Sequence, residues 1–342
     1  MSAMAQSVAP GIVKATASKV GKFHEQYAPW ISLGLGVLAH IYSKKDVDFA
    51  PKAVAIVTLA WLLPMVVARW LRSPAEGGKE SRIHHLARTG SPVVTILLYK
   101  NVLFFLVPVW FGSATVLSIN ILAPLVLAAM ALFTCFTRSY RESVLDRPRR
   151  RVLWTATVLF AALVPAVSVT ASTSPRTSIM ISAMLASAVA WAALAPRESI
   201  LSKRGAATMF AVALPVAAVL GLVAPLLPPV LMVCHDSGAG IAVAKRELVG
   251  RADSFPAGAE RVYAWFEVTL PKKDRQEVLF LWIHDGRQTG HGLRAAVQGG
   301  RKDGFRTWSF RRNPTPGSWR VDMLTRQSSQ LIGRTRFEVT AP

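Results

Sequence analysis

Three groups of residues have the types and spacing to do chemistry. The first is centred on Lys100, in the run LLYKNVLFF. A charged amine inside an apolar segment costs about 2.5–3.5 kcal/mol on insertion scales. Such a lysine could hold an anionic lipid headgroup or substrate, helped by Tyr99, Asn101 and Asn120. Alternatively it snorkels, or sits neutral inside a helix bundle. The second group is His284 and His291, which flank Asp285-Gly286. Two imidazoles and one doubtful carboxylate make a poor metal set, and His84-His85 and His235-Asp236 offer nothing better. The third is Arg261, Tyr263 and Trp265, alternate residues of one extended run. Large aromatics beside a guanidinium can stack on sugars or pair with anions, unless a neighbouring loop or the helical part covers them. The chain contains no GxSxG, HExxH, phosphate-loop or dinucleotide fingerprint. No catalytic residue, metal site or cofactor is therefore assigned.

The elements that must position these groups follow from composition and patterning. Of 342 residues, 52% are hydrophobic and only 17% charged, and the mean hydropathy is +0.35. That combination indicates a membrane protein. The net charge is +21, which could serve nucleic acid, an anionic membrane or an acidic polymer. Seven apolar segments are expected at about 28–43, 51–71, 92–111, 114–136, 152–170, 178–195 and 207–228, judged against the roughly 20 residues a crossing helix needs. No Asp or Glu falls within them, which argues against a proton relay. Loops on one side carry 17 basic residues, those on the other 4. Basic loops stay in the cytoplasm, so the N-terminus is expected inside and the chain beyond about 230 outside. The RPRRR run at 147–151 is then a topology anchor against anionic headgroups, and nucleic acid is not an expected partner. Residues 1–27 lack an apolar run of signal-peptide length. They read as a cytoplasmic interfacial segment with a stripe of Val13, Thr16, Val20, Phe23 and Tyr27. Cys135 and Cys234, the only cysteines, fall on opposite sides of the bilayer and are not expected to pair.

From residue 236 the period of apolar residues changes to two. In RVYAWFEVTL, 261–270, every even position is apolar. EVLFLWIH is apolar on both faces, and Asp285-Gly286 is a two-residue hairpin signal. GLRAAVQ, FRTWSFRR, SWRVDML and LIGRTRFEV complete, with 239–247, about seven short strands. Such a count and spacing suggest an antiparallel, immunoglobulin-like sandwich. NPTPG joins two of the strands. Trp319, Val321 and Met323 share the expected core face of one, and Trp308 and Phe310 that of another. Their arginines are expected to face solvent.

The runs RELVG, RVYAWFEV, LWIHDG, FRTWSF, PGSWRV and the terminal FEV resemble the bacterial domain of unknown function 2914 over roughly 239–340. Its pattern often has proline after the Arg-Glu pair, where this chain has Leu248. The N-terminal part resembles an uncharacterised bacterial multi-pass membrane region found joined to that domain. Neither resemblance implies catalytic residues. The expectation is thus a seven-helix transmembrane domain, 28–235, followed by an extracytoplasmic β-sandwich, 236–342. It would sit in the bacterial cytoplasmic (inner) membrane with the sandwich in the periplasm or outside the cell. Besides membrane lipids, expected partners are an anionic glycan, a lipid or an acidic envelope protein. The rival expectation is a transporter, flippase or lipid-modifying enzyme centred on Lys100, with an accessory β-domain.

Overall fold

The computed structural model describes Tyr27, Trp30 and Gly34, and residues 99–341 apart from Leu117, Ser172, Leu201, Leu231, 271–274, Lys302 and Asp303. The expected interfacial segment, the segments 28–43 and 51–71, and the start of 92–111 lie outside the described residues, those three positions excepted.

Among the described residues the helical part comprises α1 (Tyr99–Gly112), α2 (Leu122–Cys135), α3 (Pro148–Ala171), α4 (Pro175–Leu194) and α5 (Lys203–Leu222). Local chemistry sets their starts. Ser174 caps α4 by accepting from the Thr177 amide at 3.3 Å, with Pro175 at the first helical position. Ser202 caps α5 through the Gly205 amide at 2.9 Å. Three of these helices, α3 to α5, are long and apolar enough to cross a membrane, or four spans if the bent pair of α2 and the short helix after it counts as one. Seven such helices were expected; the described residues support three or four. Segment 114–136 is shorter as a helix than its apolar length suggested. It starts with a turn at Ser118, whose side chain accepts from the Asn120 amide, and only 14 residues are regular α-helix. Leu103, Leu106, Val158, Leu159, Ala162 and Ile179 form the helical core, and Trp110 Nε1 donates to the Ala161 carbonyl at 3.0 Å.

The C-terminal part is all β: β1 (Val233–Gly240), β2 (Ala242–Ala244), β3 (Glu247–Val249), β4 (Ser254–Phe255), β5 (Arg261–Thr269), β6 (Arg275–His284), β7 (Arg287–Gln288), β8 (Leu293–Gln298), β9 (Phe305–Arg312), β10 (Gly317–Thr325) and β11 (Leu331–Val339). One sheet has the order β1-β5-β9. The other runs β4-β11-β10-β6-β7, with β8 also paired to β6. Both sheets contribute to one apolar cluster, including Val262, Phe266, Phe280, Trp282, Trp319, Val321 and Phe337. The run expected as a single strand at 239–247 is instead the end of β1 plus the β2–β3 hairpin. Its turn at Lys245 and Arg246 has positive φ at both residues. Asp285 and Gly286 likewise have φ of 45° and 80°, as a two-residue hairpin requires.

Trp319, Val321 and Met323 are buried as expected. The expectation for β9 is reversed. Thr307 and Ser309 face the core at 6% and 5% exposure, while Trp308 and Phe310 are 38% and 40% exposed. The cause is volume and hydrogen bonding. Thr307 lies opposite the bulky Phe266, and Ser309 Oγ accepts from the buried indole N–H of Trp282 at 3.0 Å. A large residue at 309 would fill that space and strand the indole donor.

Asn120 and Gln330 join the two parts. Asn120 Nδ2 donates to the Leu331 carbonyl at 3.1 Å, and its Oδ1 accepts from Ser118 Oγ at 2.7 Å and the Thr115 amide at 3.1 Å. Thr115 Oγ1 donates to the Ile332 carbonyl at 3.2 Å. Gln330 Nε2 donates to the Leu227 and Pro228 carbonyls, each at 3.2 Å.

Candidate functional site

The outer face of the three-stranded sheet carries the third group of residues named from sequence. Antiparallel register pairs Arg261 with Arg312, Tyr263 with Phe310, Trp265 with Trp308 and Glu267 with Arg306. Directly opposed residues share a face, so the odd residues of β5 and the even residues of β9 form one surface. Tyr263 and Phe310 are tilted rings with centroids 5.4 Å apart. The guanidinium carbons of Arg261 and Arg312 stand 5.7 and 6.0 Å from the Phe310 centroid. Glu260, at 3.3 Å from Arg261 Nε, gives partial charge balance from a mostly exposed side chain. The neighbouring Tyr263 side chain first, and Glu260 second, raise the affinity of the Arg261 guanidinium for its proton.

Trp265 is not part of the open surface. It lies on this face but is only 4% exposed, because the β2–β3 hairpin folds over it. Its indole N–H donates to the Arg246 carbonyl at 2.9 Å. Arg306 secures the hairpin by pairing with Glu247 at 2.9 Å while also lying 3.4 Å from Glu267. Gly238 and Gly240 of β1 make the close approach possible. A Cβ at Gly240 would sit 2.6 Å from Leu248 Cδ1, and one at Gly238 2.8 Å from Arg251 Nε. Leu248, at the position where the resembled pattern has proline, thus packs the hairpin against β1. Arg251 crosses the same strand to Asp236 in a two-pronged contact of 2.8 Å on each arm. That contact lowers the Asp236 pKa below the usual carboxylate range.

The open surface is therefore Arg261, Tyr263, Trp308, Phe310 and Arg312. The last three were missed because β9 was assigned the opposite parity. The signal available was the perfect apolar alternation of β5, which fixes its outer face and, once β9 is paired beside it, the outer face of β9 too. Burial first, then Asp236 and Glu267, push the Cys234 thiol up to about 12.

The Lys100 group is only partly assembled. Lys100 is 1% exposed and lies within electrostatic reach of Cys135, the last residue of α2. Tyr99, also 1% exposed, hydrogen-bonds Thr155 of α3. Asn101 is partly buried in α1. Asn120 does not join them, since its side chain is committed to the joint with Leu331. Two residues not named from sequence lie nearby. Tyr140 and Trp154 have ring centroids 5.2 Å apart, and the buried Tyr140 hydroxyl and Trp154 Nε1 have no hydrogen-bond partner among the described residues. His284 stacks on Trp319 at 4.4 Å, with its Nε2 3.0 Å from the Pro316 carbonyl oxygen. No group of three potential metal ligands occurs among the described residues.

Comparison with known families puts a boundary inside the β part rather than between helices and strands. The model described as a family of unknown function, DUF5924, matches residues 8–255. The chain belongs to that family. The DUF5924 match runs past the helices through β1 to β4, and a second, described as a protein of unknown function, DUF2914, matches residues 275–339. That second match confirms the resemblance over β6 to β11, a narrower range than 239–340. No curated protein matches the chain.

Proposed function

We propose that this DUF5924 chain is a multi-pass protein of the bacterial cytoplasmic membrane that carries an immunoglobulin-like sandwich on the periplasmic or external side, where it binds an envelope component. The observation that carries the binding reading is the β5–β9 face, where arginines and half-exposed aromatic rings share one surface. Seven crossings fit the apolar segments, including the two outside the described residues. The 17-to-4 asymmetry of basic residues supports N-terminus inside. Exposed Phe210, Val212, Leu214, Val219 and Leu222 along α5 suit contact with lipid. The strand order supports the immunoglobulin-like reading. With β1, β5 and β9 as strands A, B and E, and β11, β10, β6 and β8 as G, F, C and C′, the two sheets take a variable-type arrangement. Trp282 then stands on strand C, where such domains bury a tryptophan.

The test is photo-crosslinking in cells from position 263 of the full-length chain, with position 294 on β8 of the other sheet as comparison. Capture of an envelope component from 263 and not from 294 is expected. Equal capture from both, or cytoplasmic products only, contradicts the reading.

A second reading is favoured by the two unpartnered buried donors of Tyr140 and Trp154 near Tyr99. It places a transport or lipid-modifying site among the helices around Lys100. Lys100→Met abolishes function under this reading and leaves crosslinking from 263 unchanged.

A further inference from the structure

The β5–β9 surface sits at the end of the β part that points away from the helices. Strand β1 leaves the helical part at Val233, which pairs with Thr269, and reaches Gly240 opposite Tyr263. Six residues of β5 at about 3.3 Å each separate Tyr263 from the helix-side end by roughly 20 Å. The joint through Gln330 and Leu331 lies at that same helix-side end, opposite Leu324. With the strands upright on the proposed topology, lipid headgroups are out of reach of Tyr263, Phe310 and their flanking arginines. An occupant must come from the space beyond the membrane.

The charge arrangement specifies its sign. Arg261 and Arg312 are directly opposed across the two strands, and like charges in that position destabilise a sheet. Elsewhere on the same face Arg306 meets Glu267 and Glu247 at 3.4 and 2.9 Å, so its charge is balanced. At the distal pair Glu260 supplies one mostly exposed carboxylate for two guanidinium groups. An anion bound between Arg261 and Arg312 would offset the repulsion, and a guanidinium fork matches a carboxylate or phosphate.

The rings specify the rest. Phe310 and Trp308 present about two-fifths of their surface, and Tyr263 lies against Phe310. Tyr263 and Phe310 are inclined to one another by 39°, and Phe310 and Trp308 keep part of their ring surface open beside the arginines. An exposed ring face suits the C–H face of a sugar ring. From these observations, and resting on the envelope-binding reading above, we infer that the surface of Arg261, Tyr263, Trp308, Phe310 and Arg312 binds an anionic glycan. A sugar ring lies on Phe310, and its carboxylate or phosphate substituent sits between the two arginines.

The experiment uses the full chain in nanodiscs of zwitterionic lipid at physiological salt. The probes are a galacturonate hexamer, a phosphorylated mannan oligosaccharide and hexaglutamate. At least one sugar probe should bind, and more tightly than hexaglutamate. Arg312→Ala should weaken it about tenfold or more, the scale of one hydrogen bond to a charged group. Phe310→Ser should weaken it as well, and Arg294→Ala on β8 should leave it unchanged. Both site changes are at exposed positions, and an unchanged melting transition verifies folding. Binding of neither sugar probe overturns the inference. So does an affinity that survives Phe310→Ser, or hexaglutamate binding as tightly as the sugars, which would point to an acidic protein. If sugar binding fails while position 263 still crosslinks an envelope protein in cells, the glycan assignment falls and the envelope-binding reading stands. If 263 captures no envelope component, the wider reading falls with it.

Discussion

Trp319 and Trp308 are residues of one type in strands that are consecutive in the chain but lie in different sheets, with opposite energetic roles. Trp319 is 2% exposed, stacked on His284 and parallel to Phe337, with its indole N–H donating to the Thr315 carbonyl at 2.8 Å. Trp319→Ala should cost about 3–5 kcal/mol, the range for deleting a buried tryptophan. Trp308→Ser removes a half-exposed ring and should cost under about 1 kcal/mol. Arg320→Ala should cost under about 0.5 kcal/mol, because Asp322 keeps Arg334 at 2.6 Å. Near-ultraviolet melting of the three variants measures this directly, and equal losses for the two tryptophans would contradict the observed faces. The Asp236–Arg251 pair adds a pH dependence. Hydrogen bonding to Arg251 lowers the folded-state pKa of Asp236, so its contribution is complete above the unfolded carboxylate value of about 3.9. It fades as pH falls through the lower folded value. Asp236 and Arg251 are about half exposed, which keeps the effect small. The melting difference between the parent and Arg251→Ala should therefore be present at neutral pH and vanish in strong acid. A difference that persists undiminished there would mean that Arg251 acts through its packing on Gly238 and its bond to the Ser237 carbonyl at 2.7 Å rather than through the ion pair.

Elements were legible from sequence where alternation was unambiguous. In β5 the even positions are all apolar, and in β10 one phase is Trp-Val-Met while the other carries Arg and Asp; both faces lie where the pattern placed them. In β9 the two phases are Trp and Phe against Thr and Ser, and apolarity alone selects the first. The core selects the second, because its occupants Phe266 and Trp282 come from strands distant in sequence. Trp265 shows the same limit. Its outward direction followed from parity, but its cover is a hairpin whose turn at Lys245-Arg246 carries no glycine or proline. The joint between helices and strands was equally hidden, since it uses carbonyls that no sequence pattern advertises. It has a measurable consequence. Asn120→Ala leaves the buried Leu331 carbonyl without its donor, at a cost of about 1–3 kcal/mol. Amide exchange should rise at residues 328–333 and stay unchanged in β5 and β9. Protection unchanged at both places would show that Thr115 and Gln330 hold the joint without Asn120.

For the whole molecule, the joint makes orientation a single question. Asn120, Thr115 and Gln330 tie the β part to the turn after α1 and to the segment after α5, so whichever side of the membrane holds that turn also holds the sheets. The same geometry separates the arginine-rich stretch Arg147–Arg151 from the sheets. α2 leads from the joint to Cys135, and the short helices after it lead on to that stretch. If α2 and the helices after it make one span and that stretch is retained in the cytoplasm, the Asn120 turn and the sheets with it lie on the other side. Alkaline phosphatase fused after residue 342 should be active and a fluorescent protein fused there should be dark. Fused within 141–147, the two reporters should exchange behaviour. A fluorescent C-terminal fusion with inactive phosphatase would place the Arg261–Arg312 face in the cytoplasm and remove the envelope as the source of its ligand. Equal behaviour of one reporter at both positions would instead break the separation of the arginine stretch from the joint.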